Sequence, residues 1–136
     1  MKDSDHLLLA ELRRTLLHLH KTLLDWERAA YERLHGRTSA SELLKAIVSD
    51  PQFAWLRPVT ELIVRIDGAL DKDDPETPVD VDALVAQARA LVVPDEAGSA
   101  YEQRYYAALQ DHPDAVIAHR GVTKVLRDVP SRETLH

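Results

Sequence analysis

His18 and His20 stand one residue apart in the run "LLHLHKTLL", residues 16–24. On a helix that spacing is about 200° of rotation, so the two rings cannot share one ion or one proton. Placed at ~100° per residue from Leu9, His18 falls opposite the apolar face and is expected in solvent, whereas His20 falls within that face. Arg13, His20 and Glu27 are spaced by seven and lie nearly in line. Three ionisable groups along an apolar face are costly unless each meets a partner, water or a polar seam, although Arg13 and Glu27 can also snorkel past the rim. A satisfied polar seam is the favoured reading, and a polar site centred on His20 is the alternative.

The last apolar stretch supplies a second inward histidine. His119 shares an arc with Ala115, Ala118, Val122, Val125, Leu126 and Val129, and is expected to be a satisfied core residue. If the first and last helices are neighbours, His20, His119 and Glu27 form a set of two histidines and one carboxylate, the kind that binds iron, zinc or manganese. The remaining histidines do not strengthen that set. Glu32 to His35 is a single Glu-x-x-His match at a helix end, and no His-Glu-x-x-His occurs. His112 and His119 are two turns apart, about 10.5 Å, too far to chelate one ion unaided. No metal site is assigned and no cofactor is expected. Arg13, His20, Glu27 and His119 remain as ligand-binding candidates.

Other chemistries lack their parts. There is no cysteine, and the four glycines build no phosphate-cradling loop. Ser39 and Ser99 read as helix caps, and no serine sits in a strand-to-helix elbow. With no catalytic residue assigned, the chain leans towards a non-enzymatic protein. Its 23 acidic residues outnumber 17 basic ones, for a net charge of −6, and the basic residues form no isolated cluster. Binding to nucleic-acid phosphate is therefore disfavoured. The opening "MKDSDHLLLAE" is acidic and its apolar run lasts four residues. That is short of both a secretory signal and a membrane span, so a soluble, cytoplasmic protein is expected.

The elements that must position these groups read as helices throughout. Over residues 5–35, Leu9, Leu12, Leu16, Leu19, Leu23, Trp26 and Ala30 alternate steps of three and four, a heptad seam. Ala10, Leu17, Leu24 and Tyr31 form a second stripe. Two stripes imply two neighbours, so this helix is expected to be the spine of a bundle. Ser4 or Asp5 is the expected cap, and Gly36 the left-handed stop.

Shorter helices follow. Ser39 and Glu42 cap one with Leu43, Leu44, Ile47 and Val48 on its apolar face. Asp50-Pro51 ends it and opens another turn, in which Phe53 and Trp55 are expected to plug one end of the bundle. Pro58 starts a helix over about 58–70. The acidic stretch "DKDDPETPVD", residues 71–80, is expected to be an exposed linker. A helix then runs to about Val93, another follows the Ser99–Glu102 capping box, and a last one runs from Pro113 to about Asp128. Residues 130–136 are expected to fray. The fold class is all-α: a single domain over 1–136, a helical bundle of five to seven helices with a long N-terminal spine helix and proline-broken shorter ones.

The stretch "SDPQFAWLRPVTELIVRID", residues 49–67, resembles one in a family of small uncharacterised all-α bacterial proteins. Its two proline breaks around an aromatic pair look like a packing signature, and the resemblance implies no activity.

Short helices of roughly 10–15 residues cannot cover both stripes of a spine about 45 Å long. The leading expectation is therefore an interaction protein, a homodimer or the binder of a protein partner, with Leu9, Leu16, Leu23 and Trp26 as interface candidates. The alternative is a ligand- or metal-binding bundle with an internal site near His20, Glu27 and His119.

Overall fold

The computed structural model describes residues 2–71 and 78–129. Seven helices occur among them, and no strand: α1 (Asp3–His35), α2 (Ala40–Ser49), α3 (Pro51–Ala54), α4 (Arg57–Leu70), α5 (Val81–Leu91), α6 (Ala100–Asp111) and α7 (Pro113–Arg127). The expected linker is non-helical at Asp71 and at residues 78–80, while its centre and the expected frayed tail lie outside the described residues.

The boundaries follow local chemistry. Asp50 accepts from the Gln52 amide at 2.9 Å and Asp80 from the Ala83 amide at 3.0 Å. At α6 both halves of a capping box form, Ser99 Oγ with the Glu102 amide and the Glu102 carboxylate with the Ser99 amide. The start of α1 differs from expectation. The helix begins at Asp3, with Lys2 in the capping position and no side chain closing it. Asp3 and Asp5 lie in the first turn instead, where their charge opposes the helix dipole's positive end. At the other end Gly36 has φ 82° and ψ 175°, so it is a positive-φ stop, with extended ψ in place of the left-handed helical value. Its amide still donates to Glu32 O at 2.8 Å.

α1 is the spine, and it packs chiefly against α7 and α4. Leu9, Leu12, Leu16, Leu19 and Leu23 are all 0% exposed. Small residues let the last helix approach closely: Ala115, Ala118 and Val122 are buried, and the Cβ position of Gly121 lies 3.8 Å from Thr15 Cγ2. This corrects the interface expectation for Leu9, Leu16 and Leu23. The proline breaks fold α4 and α7 back along the spine, so the heptad seam is covered by the chain itself. The second stripe is the less covered one: Ala10 is exposed, Leu17 is 39% exposed, and Leu24 and Tyr31 are half-buried.

The buried residues of all seven helices join one core. α2 contributes least to it. It packs chiefly on α3 and buries only Ala46, leaving Leu44 63% and Val48 70% exposed.

Candidate functional site

Each of the four polar candidates finds its own partner. Arg13, half-exposed, pairs with Asp67 of α4. His20 Nε2 lies 3.1 Å from Thr60 Oγ1, also on α4. His119 Nδ1 lies 2.6 Å from the hydroxyl of Tyr105, a residue with no exposed surface. His18 is exposed, as its helical angle requires. Burial pushes the pKa of His20 down, and that of His119 too, where the neighbouring Arg120 adds to the effect. Burial also raises the pKa of Tyr105, with a further contribution from Tyr101, so that hydroxyl keeps its proton.

Glu27 is the most constrained of the four. Its side chain is 0% exposed, yet both oxygens are satisfied. Oε1 accepts from Trp55 Nε1 at 3.0 Å and from Arg104 Nε at 2.7 Å, and Oε2 accepts from Gln52 Nε2 at 2.9 Å. Gln52 also donates to the Glu27 carbonyl at 3.2 Å. The Arg104 guanidinium lies 4.4 Å from the Trp26 ring centroid, a cation–π contact. Trp26 in turn donates from Nε1 to Asp111 Oδ2 at 2.7 Å. Trp26 is thus half-buried within the chain's own network, not held free for a second copy. One carboxylate on α1 therefore fixes α3 through Gln52 and through Trp55 at its C-cap, and α6 through Arg104.

Aromatic rings continue that network. Trp26 and Trp55 meet edge to face at 6.5 Å, Trp55 lies 5.6 Å from Tyr101, and Tyr101 stacks on Tyr105 at 5.9 Å. Phe53, 2% exposed, packs on Tyr31 at 5.6 Å. Phe53 is thus buried, and Trp55 half-buried, among rings of α1 and α6.

Separate partners mean that His20, Glu27 and His119 do not converge. Among the described residues no group of three or more His, Asp or Glu side chains is arranged to hold a metal ion. The internal site expected from those three residues is replaced by a surface feature at one of them. His20 and Thr60 lie on one side of an open cleft of about 260 Å³ between α1, α2, α3 and α4. Its walls are Leu24, Ile47, Val48, Phe53 and Leu56, with Arg57 as the one formally charged lining residue. Arg57 has no hydrogen-bond or ion-pair partner among the described residues.

The local sequence explains the cleft. Asp50-Pro51 stops α2 and turns the chain into α3, which Glu27 ties to α1 through Gln52 and the following Trp55. At the other end Thr38 is pinned to α1, its amide and hydroxyl donating to Glu32 Oε2 at 2.7 and 3.1 Å. α2 is therefore tied at both ends, with Leu43, Ala46 and Ile47 turned to the core and Leu44 and Val48 left outside. The sequence marks Ile47, Val48 and Phe53 as apolar and Arg57 as a residue preceding proline. Nothing in their spacing says that they surround His20, because the encounter depends on how three helix breaks fold back on α1.

The comparisons are silent: no protein-family model, no curated protein and no solved structure matches the chain. No helix among the described residues is long and apolar enough to cross a membrane.

Proposed function

We propose that this chain is a non-enzymatic, cytoplasmic interaction protein that works by holding another polypeptide, a partner or a second copy, against the α1–α2–α4 cleft. The observation that carries this reading is the uncovered apolar face of α2, where Leu44 and Val48 stand 63% and 70% exposed beside a recess. Exposed apolar surface rimmed by polar residues is one mark of a protein contact surface. Residues 49–67 supply α3 and most of α4, which line that cleft through Phe53, Ala54, Arg57 and Thr60.

Site-specific photo-crosslinking in cells tests the reading. A photoreactive amino acid at Val48 is expected to give a discrete adduct, while the same group at Ile117, 62% exposed on α7, gives none. The adduct's mass separates a second copy from another protein. No adduct at Val48, or equal adducts at both positions, defeats the proposal.

A further inference from the structure

We propose that the α1–α2–α4 cleft docks an acidic amphipathic helix of another protein, with an apolar side chain set against Leu24, Val48 and Phe53 and a carboxylate set against Arg57. The inference rests on the interaction reading and adds the chemistry of the partner.

Three observations select this occupant. The first is charge. The chain carries a net charge of −6, yet no Asp or Glu lines the cleft, and its one formal charge is a guanidinium without a partner among the described residues. Burial holds His20 towards its neutral form, which leaves Arg57 as the formal charge among the lining residues. A guanidinium beside apolar walls favours a carboxylate adjoining an apolar group, by a paired, charge-assisted hydrogen bond.

Extent is the second observation. The recess holds about 260 Å³, less than the 300–1,000 Å³ of most small-molecule pockets. Room for one or two side chains is what it offers. Leu44, 63% exposed on the same helix as the lining residues Ile47 and Val48, lies outside the lining and would stay bare over a small ligand. A helix laid along α2 covers both the recess and Leu44. Its residues at i and i+4 lie about 6 Å apart, so one turn supplies the apolar anchor and the carboxylate together.

Symmetry is the third. A two-fold contact made by this patch on two copies would bring Arg57 against the partner's equally cationic cleft, with no lining carboxylate to answer it. That arrangement costs energy through like charge, so the surface suits a heterologous acidic partner better than itself.

Fluorescence anisotropy with two labelled helical peptides of about 18 residues tests the proposal. Both carry the same leucine stripe; one has Glu at its flanking positions and the other Lys. The Glu peptide is expected to bind at least about tenfold more tightly, and the gap is expected to narrow as salt is raised. Arg57→Glu is expected to reverse the preference while leaving helix content unchanged, since Arg57 is exposed and its side chain has no hydrogen-bond or ion-pair partner among the described residues. Equal binding of both peptides, preference for the Lys peptide, no binding by either up to about 1 mM, or indifference to Arg57→Glu each overturns the proposal. So does a dimer in sedimentation that Val48→Asp dissociates, or saturable binding of dodecanoate in the cleft where the Glu peptide fails. A Val48 crosslink that persists in Arg57→Glu would refute the acidic partner and leave the broader interaction reading standing.

Discussion

Arg104 and Glu27 are 77 residues apart in the chain, and the Arg104 Nε donates to Glu27 Oε1 at 2.7 Å. The carboxylate has no exposed surface, while the arginine side chain is 40% exposed. Taking Glu27 away leaves Arg104 and Trp55 each with a donor aimed at nothing, and leaves Gln52 only the backbone carbonyl of residue 27. Glu27→Ala is expected to lower unfolding free energy by about 3 kcal/mol, the low end for a broken buried pair because Arg104 is partly in water. Arg13→Ala breaks a pair whose side chains are 42% and 40% exposed, and is expected to cost less than about 1 kcal/mol. Urea denaturation of both variants ranks them, and equal losses would contradict the clamp.

The two inward histidines predict a pH dependence. Both have pKa values lowered by burial, and for His119 by Arg120 as well, while the same residues in the unfolded chain titrate near about 6.5. Between the unfolded value and the lower folded one, the unfolded chain binds protons that the native chain does not. Stability is therefore complete above about pH 6.5 and falls as the pH drops through that window. Denaturation midpoints taken from neutral to mildly acid pH should show the fall. His20→Gln with His119→Asn, which keep an acceptor towards Thr60 and Tyr105, should flatten it. A slope unchanged in the double variant would assign the effect elsewhere.

Backbone geometry separates two glycines. Gly36 stands at φ 82°, and a Cβ added there would meet no atom within 4 Å, so only its backbone resists substitution. Gly36→Ala is expected to destabilise by about 1–3 kcal/mol. Gly68 lies within α4, also with open space around it, and Gly68→Ala is expected to stabilise by about 0.5–1 kcal/mol. Thermal melts of the two should move in opposite directions.

The exposed and buried apolar residues make the last contrast. Val48→Asp, on the uncovered face of α2, is expected to change stability by no more than about 0.5 kcal/mol. Leu16→Ala removes a side chain with 0% exposure and is expected to cost about 2–5 kcal/mol. A Val48→Asp variant that unfolds would place α2's outer face in the core and remove the basis for a docking surface.

Much of this architecture is legible in the amino-acid order because helices are local objects. The three-and-four spacing of Leu9 to Leu23, the caps at Ser39, Asp50 and Ser99, and the breaks at Pro51, Pro58 and Pro113 each act within a few residues. His18 could be placed in solvent and His20 inward from rotation about one axis alone. Rotation does not name the neighbour. That Glu27 meets Arg104, that Arg13 meets Asp67, and that His119 meets Tyr105 while His20 meets Thr60 depends on how the helices pack across separations of 14 to 77 residues. The same packing decided the fate of the heptad seam. A leucine stripe looks alike whether a second chain or the chain's own α4 and α7 covers it, because burial rewards apolar area without regard to its source. Only the tertiary structure shows that the seam is filled from within, and that α2 keeps Leu44 and Val48 uncovered.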